Sequence, residues 1–386
     1  MITKISGGKI ISGDGVTVGK SLYLRDKKIL CLAGENLPFD KEIEANGDYV
    51  SAGFIDMHTH GGGGHDFMDG GSLPIVEAAK LHLAHGTTSI LPTSIACSNQ
   101  LLKEFIADAR CVMAQKNASN IIGVHLEGPY FSMNQRGAQN PAYIKAPDSA
   151  EYEEIISCAG GIIKRWSFAP ELGGSQKFCE TLIKNNIVPA IAHSDAIYRD
   201  VKNIYDSGCK LVTHFYSGTS TITRHNGFRE LGVIESAYLI DDMELEIIAD
   251  GKHLPPELMR LICKLKGIGK ISLVTDSMRA AGLGEGASLL GRVGESMPCI
   301  IEDGVAKLPD RSAFAGSIAT ADMLVRTMVQ KAGASIAESV QMMTKNPAKI
   351  LGLADKGDIS EGFDADIAIF DEDISIKKVI LMGELV

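Results

Sequence analysis

From residue 53 onward, short β-rich segments alternate with amphipathic helical ones, and the alternation recurs eight times. The β-rich segments end at GFIDMHTH (53–60), SILPTS (89–94), IIGVHLEGP (121–129), RWSFAPE (165–171), IVPAIAHSD (187–195), KLVTHFYSG (210–218), ELEIIADGKH (244–253) and KISLVTDS (270–277). Between them, stretches such as Leu73–His85, Gln100–Lys116 and Pro256–Lys266 place apolar residues three and four apart, the spacing of a helix with one buried face. Repeated βα units predict a parallel sheet, and eight of them predict an α/β chain folded as a closed (β/α)8 TIM-like barrel. Helices around Ala319–Ala332 and Ile336–Leu351 would complete it.

The two ends read differently. Thr17–Ala33 and Ala365–Val386 alternate polar and apolar residues, with turn-like Arg25-Asp26-Lys27-Lys28 and Met382-Gly383. We therefore expect a small discontinuous β-sandwich domain from residues 1–52 and 355–386, and a hydrolase barrel over 53–354. A hairpin insertion is expected near 282–310, where Asp303-Gly304 suits a tight turn; it could cover the barrel mouth.

With 45% apolar and 22% charged residues, the chain is composed like a soluble globular protein rather than a disordered one. A net charge of -10 offers no broad basic footprint, so neither nucleic acid nor an anionic membrane surface is expected as a partner. The eight cysteines are scattered without a CxxC pair, which disfavours a thiolate zinc site and reads as reduced thiols. No apolar run reaches membrane-spanning length and the N-terminus lacks a signal-peptide core, so a cytoplasmic location is expected.

In a barrel of this kind, catalytic groups gather at the carboxyl ends of the strands. His58, His60, His125, Glu127, His193, His214, Asp250, His253 and Asp276 all fall there, among them six of the ten histidines. His58 and His60, two apart on a strand, share a face and can reach one metal ion. The glycine run 61–64 either admits a ligand close to the backbone or forms a flexible loop. Glu127, His193 and His214, from three strands, make an O, N, N set with room for a water, the pattern of a catalytic metal site. Asp276 is placed to take a proton from that water and pass it to a departing amine.

The motifs GFIDMHTHG, HLEGP, AHSDA, Thr213-His214, ADGKH, VTD and AGS (315–317) together resemble the N-acetylglucosamine-6-phosphate deacetylases of the amidohydrolase superfamily, through the whole chain. The resemblance implies metal-dependent removal of the acetyl group from an amino-sugar phosphate. It implies Glu127, His193 and His214 as principal ligands, Asp276 as acid/base, and His58 and His60 as support for a second ion, so that one or two ions of zinc or iron serve each subunit. His253 matches a histidine that contacts the sugar phosphate, and Gln139 a substrate-facing polar position.

The chain departs from the family after strand six. There it reads Phe215-Tyr-Ser-Gly-Thr219, without the asparagine associated with the phosphate pocket, and Gly218 and Thr219 stand at the substrate-facing positions. The phosphate-binding arginine would correspond to Arg229 or Arg224. In the family it can come from a neighbouring subunit, which implies a homodimer. A galactosamine-configured or unphosphorylated substrate, another amidohydrolase activity, or a non-catalytic binding protein are the alternatives. Cyclic-amide hydrolases of the superfamily carry a modified lysine at the end of strand four, which RWSFAPE lacks.

Overall fold

A computed structural model describes residues 1–13, 15–115 and 120–386. Eight parallel strands build the barrel: β1 (Phe54–Thr59), β2 (Thr87–Pro92), β3 (Val124–Glu127), β4 (Ile163–Phe168), β5 (Val188–Ile191), β6 (Leu211–Val212), β7 (Glu244–Ile247) and β8 (Ile271–Leu273). β1 pairs with β2, the bridges Ile90–Ile121 and Thr93–His125 join β2 to β3, and β3 to β8 follow in sequence order. The ring closes where Asp276 N donates to His58 O at 2.9 Å and His60 N to Ser277 O at 2.7 Å. The expected (β/α)8 barrel with an attached sheet domain is the architecture the chain adopts.

Each strand is followed by at least one helix, and local chemistry explains the ends. Ser98 accepts from Leu101 N at 3.3 Å and starts Asn99–Met113, which buries Leu101, Leu102, Phe105, Ile106, Ala109 and Val112 on one face. Lys116, the expected last residue of that helix, lies outside the described residues. Asp148 accepts from Ala150 N at 2.9 Å to start Ser149–Ala159, and Gly160, at φ 59°, ends it in the left-handed region. Ser335 and Glu338 cap each other at the start of Ile336–Met343. Among the described residues, no helix is long and apolar enough to cross a membrane.

The chain ends form two sheets. One contains Ile2–Ser6, Ser21–Arg25, Lys28–Ala33 and Lys41–Glu44; the other contains Lys9–Ser12, Gly15–Thr17, Tyr49–Ala52, Ile367–Phe370, Ile376–Leu381 and Glu384–Leu385. Ile5, Leu22, Leu24 and Ile43 of the first meet Ile10, Val50, Ile367 and Ile380 of the second in one buried cluster. Each such side chain contributes about 1.5–3 kcal/mol by leaving water.

Residues 286–307 form a three-stranded antiparallel sheet of Gly286–Leu290, Met297–Glu302 and Val305–Lys307, the last two joined through Asp303 (φ 55°) and Gly304 (φ 72°). Arg279 clamps it to the barrel rim. Its guanidinium donates to Leu289 O at 2.9 Å, Gly291 O at 2.6 Å and Asp69 Oδ1 at 2.9 Å.

The glycine run after β1 serves packing rather than ligand approach. A Cβ on Gly61 would meet His65 O at 2.2 Å, and one on Gly62 would meet the Leu81 side chain at 2.6 Å. Gly61–Gly62 pairs with His65–Asp66, so the segment is a small ordered hairpin.

Candidate metal-dependent active site

A cavity of about 200 Å³ opens at the carboxyl ends of the barrel strands, with Glu127, His60, His193, His214, His253 and Asp276 in its wall. Three of these stand on strained backbone just beyond their strands: His193 at φ 45°, His214 at φ 27° and Asp276 at φ 46°. Left-handed φ at residues with a side chain costs roughly 1–3 kcal/mol and persists only where the surroundings impose it.

Glu127 is the hub. Its Oε1 lies 3.0 Å from His214 Nε2, 3.3 Å from His193 Nε2 and 3.5 Å from His58 Nε2, while Oε2 lies 3.5 Å from His60 Nε2. The ligand atoms of Glu127, His193 and His214 all lie within 4.8 Å of one another, as do those of His58, His60 and Glu127. Asp276 Oδ1 closes the group, 3.1 Å from His60 Nε2 and 3.5 Å from His58 Nε2.

The donor chemistry fits a divalent cation. Nδ1 of His193 faces Gln135 O at 2.8 Å, that of His214 faces Ser217 O at 3.0 Å, and that of His60 faces Thr93 O at 3.3 Å. A carbonyl can only accept, so each Nδ1 carries a proton and each Nε2, once it gives up any proton shared with the carboxylates, presents a lone pair to a cation. Lone pairs and carboxylate oxygens converge, and none of the cavity-lining residues is Lys or Arg. Burial opposes the charged form of His60, yet Asp276 and Glu127 push its pKa up to about 9. Burial likewise opposes ionisation of Glu127, and the imidazoles of His58, His193 and His214 outweigh it, holding the carboxyl well below its ordinary range. Asp276 is held at about 2, because His58 and His60 outweigh its burial.

The motif 315–317 braces Asp276. Ser317 N donates to Asp276 O at 2.7 Å, and a Cβ on Gly316 would meet that same oxygen at 2.9 Å, so a glycine lets the two segments approach. His253 is fixed by Asp250, whose Oδ2 lies 2.7 Å from Nδ1, and by the Phe314 ring 4.8 Å away.

Other residues are placed differently from the sequence reading. Gln139 lines the cavity, but its amide is engaged: Nε2 donates to Glu127 Oε2 at 2.6 Å and Oε1 accepts from Ala96 N at 2.8 Å. It braces the Glu127 carboxylate from within the cavity wall. His125 lies below the rim, fully buried, with Nε2 2.7 Å from Ser167 Oγ. Gly218 lines the cavity; Thr219, its neighbour, is buried and does not. Arg224 and Arg229 face each other across an exposed hairpin, Thr223–His225 with Phe228–Glu230, outside the cavity of their own chain. The extra residues of this segment form that hairpin, turning at Asn226 (φ 49°) and Gly227 (φ 85°), and carry the arginines off the barrel.

Sequence reasoning missed Leu290, Ala313 and Phe314, which form an apolar wall with Ile95 and Ala138. They come from the insertion and the loop after it, and no motif marks them.

Residues 49–386 match the amidohydrolase family model. The chain belongs to the amidohydrolase family. It is 33% identical over 384 residues to an N-acetylglucosamine-6-phosphate deacetylase of Bacillus subtilis, covering 97% of this chain and 95% of that one. It is 29% identical over 346 residues to an N-acetylgalactosamine-6-phosphate deacetylase of Escherichia coli O157:H7, covering 89% of each. Among solved structures, it superposes on a mutant N-acetyl-D-glucosamine-6-phosphate deacetylase of Mycobacterium smegmatis in complex with N-acetyl-D-glucosamine-6-phosphate. The TM-score is 0.90 at 27% identity, with 100% and 98% of the two chains covered.

Proposed function

We propose that this protein is a metal-dependent deacetylase converting N-acetylglucosamine 6-phosphate to glucosamine 6-phosphate and acetate. The observation that carries the reading is the convergence of Glu127 with His193 and His214 beside Asp276, in a chain whose relatives over nearly its full length bear that activity in their names. As an amidohydrolase with these relatives, it is a hydrolase acting on an amide.

Glu127, His193 and His214 would hold one divalent cation, zinc or iron, and His58 and His60 with Glu127 a second. A cation bound there supplies Lewis acidity, polarising the acetyl carbonyl and lowering the pKa of a water. Asp276, whose carboxylate stands beside the proposed ligands with Oδ1 3.1 Å from His60 Nε2, accepts the proton of the attacking water and returns it to the amine as the C–N bond breaks. Gln139 fixes the carboxylate of Glu127 during both steps. With its Nδ1 proton directed at Asp250, His253 presents Nε2 to the sugar, and Phe314, Leu290 and Ala138 exclude water from the acetyl group.

A phosphate needs a cationic partner, and among the described residues the cavity wall of one chain has no Lys or Arg. We assign that role to Arg229 or Arg224 of a second copy, in a homodimer joined near the exposed hairpin, where Phe228 is 78% exposed and Ile222 50%. A cytoplasmic setting suits such a phosphorylated substrate. The deciding experiment is acetate release from N-acetylglucosamine 6-phosphate, its galactosamine epimer and the two unphosphorylated sugars. The glucosamine phosphate should turn over fastest; preference for the epimer would move the assignment to the activity named for the Escherichia coli relative.

A further inference from the structure

Beneath the cavity, the barrel interior holds an ion pair that the chemistry above does not use. Arg165 of β4 and Glu246 of β7 are both fully buried. Nη2 of Arg165 donates to Glu246 Oε2 at 2.8 Å and Thr213 Oγ1 at 2.7 Å, and Nη1 donates to Met57 O at 3.2 Å and to Glu246 Oε1. Burying such a pair stabilises a fold little, because desolvation of both charges offsets their attraction, and apolar replacements are often neutral or better. Its position offers another reason for it.

Glu246 Oε2 lies 3.6 Å from His58 Nδ1 and accepts from the backbone N of His214 at 3.4 Å. His58 Nδ1 is a buried nitrogen with no hydrogen-bond partner among the described residues, and the Glu246 carboxylate is a few tenths of an ångström beyond reach. His60, His193 and His214 are oriented by backbone carbonyls at Thr93, Gln135 and Ser217. His58 faces a carboxylate instead. A carboxylate behind an imidazole fixes the tautomer with its lone pair on Nε2 and raises the basicity of that nitrogen.

We propose that Glu246, fixed by Arg165, is a positioning residue that directs His58 Nε2 toward a cation shared with His60 and Glu127. Arg165 holds both carboxylate oxygens, so the face turned to His58 cannot rotate away. The proposal rests on the metal-dependent reading above and adds residues to it.

Zinc binding measured by titration calorimetry and metal analysis, alongside thermal unfolding, tests it on the full chain. Glu246→Gln should weaken the ion at His58, His60 and Glu127 by roughly 10–100-fold. Ser167→Ala disturbs the same network, where Ser167 Oγ accepts from Arg165 at 3.3 Å without touching Glu246, and should leave zinc binding unchanged. The double variant Arg165→Met/Glu246→Leu removes the charge pair as a unit; its melting temperature should recover relative to Glu246→Gln while the zinc defect stays. Wild-type zinc stoichiometry and affinity in Glu246→Gln overturns the proposal. So does a double variant in which stability and zinc recover together, which makes the pair structural only. Zinc binding that depends on Glu246 in a protein releasing no acetate supports the proposal and removes the deacetylase reading alone.

Discussion

Replacing Asp276 by Asn is the sharpest probe of the assigned chemistry, because the structure isolates the proton role from everything else this residue does. Asn is isosteric with Asp and is one of the few side chains that tolerates left-handed φ, so the 46° backbone angle carries little added cost. The hydrogen bonds from Asp276 N to His58 O and from Ser317 N to Asp276 O involve only the backbone and remain. The amide oxygen can still face His60 Nε2, now 3.1 Å from the carboxylate. What disappears is a group that can accept and return a proton. Loss of a general acid/base costs about 10²–10⁴ in rate, or about 3–5 kcal/mol in the barrier. Measured as kcat and kcat/KM for acetate release, with metal content determined on the same sample, Asp276→Asn should lose at least a hundredfold in kcat. The ion at Glu127, His193 and His214 should be retained. Turnover within tenfold of wild type would refute the proton role, and a proportional loss of metal and rate would make Asp276 a ligand instead.

Four further outcomes follow from particular contacts. A Cβ on Gly218, at φ 57°, would meet His193 Nδ1 at 2.9 Å and Gln135 O at 3.0 Å; Gly218→Ala should displace that hydrogen bond and weaken metal binding about tenfold, and an unchanged zinc titration would argue against the contact. Chelation should abolish acetate release and lower the unfolding free energy by about 3 kcal/mol relative to protein in a hundredfold excess of zinc over Kd; calorimetry with and without chelator reads this, and equal melting temperatures would deny a bound ion. Arg229→Ala should raise KM for the phosphorylated sugar and leave the unphosphorylated one unchanged, whereas equal losses on both would remove Arg229 from the phosphate. His82 is buried against Gly61 O at 3.0 Å, and burial pushes its pKa down to about 4 from 6.5, so the stability it contributes is fully present above pH 6.5 and is lost as pH falls toward 4. That loss is up to about 3 kcal/mol at 1.36 kcal/mol per unit, and urea unfolding of His82→Gln should show a flatter pH dependence by about this amount; parallel curves for the two proteins would refute it.

The barrel was legible because periodicity is local: alternation of two and of three to four residues identifies strands and helices without knowledge of the partner. Glu127, Asp276, His193 and His214 were legible for the same reason, as polar residues where apolar strands end. Distances between segments are not local. Gln139 shows this, since nothing near residue 139 announces that its amide lies 2.6 Å from Glu127. Arg165 and Glu246 carry no motif either; each neighbours or nearly neighbours another charge in its own strand, Lys164 and Glu244, and only the closed ring reveals that they meet. The hairpin at residues 223–230 was visible as extra length, but the direction in which it would carry Arg224 and Arg229 depends on a turn at Asn226-Gly227 that length does not specify.

The strain at the three strand ends connects fold and chemistry. A strand continuing in regular geometry would alternate its side chains across the sheet, so that a histidine two residues past β5 or β6 would repeat the orientation of Ile191 or Val212, which pack outward against the helices, and not that of Ala190 or Leu211 inside the barrel. Turning His193 and His214 into left-handed conformations breaks that alternation and lets two strands aim at one carboxylate on a third. The cost is absorbed by the surroundings: Ser132 N donates to His193 O at 2.9 Å, Ser217 N to His214 O at 2.8 Å, and Ser317 N to Asp276 O at 2.7 Å. Each of these donors lies in a loop or turn, outside the regular barrel ladder. The loops at the carboxyl face thus stabilise the distortion as well as lining the cavity. This explains why Glu127, His193 and His214 can be so closely gathered in a barrel whose regular strands alone would hold them apart.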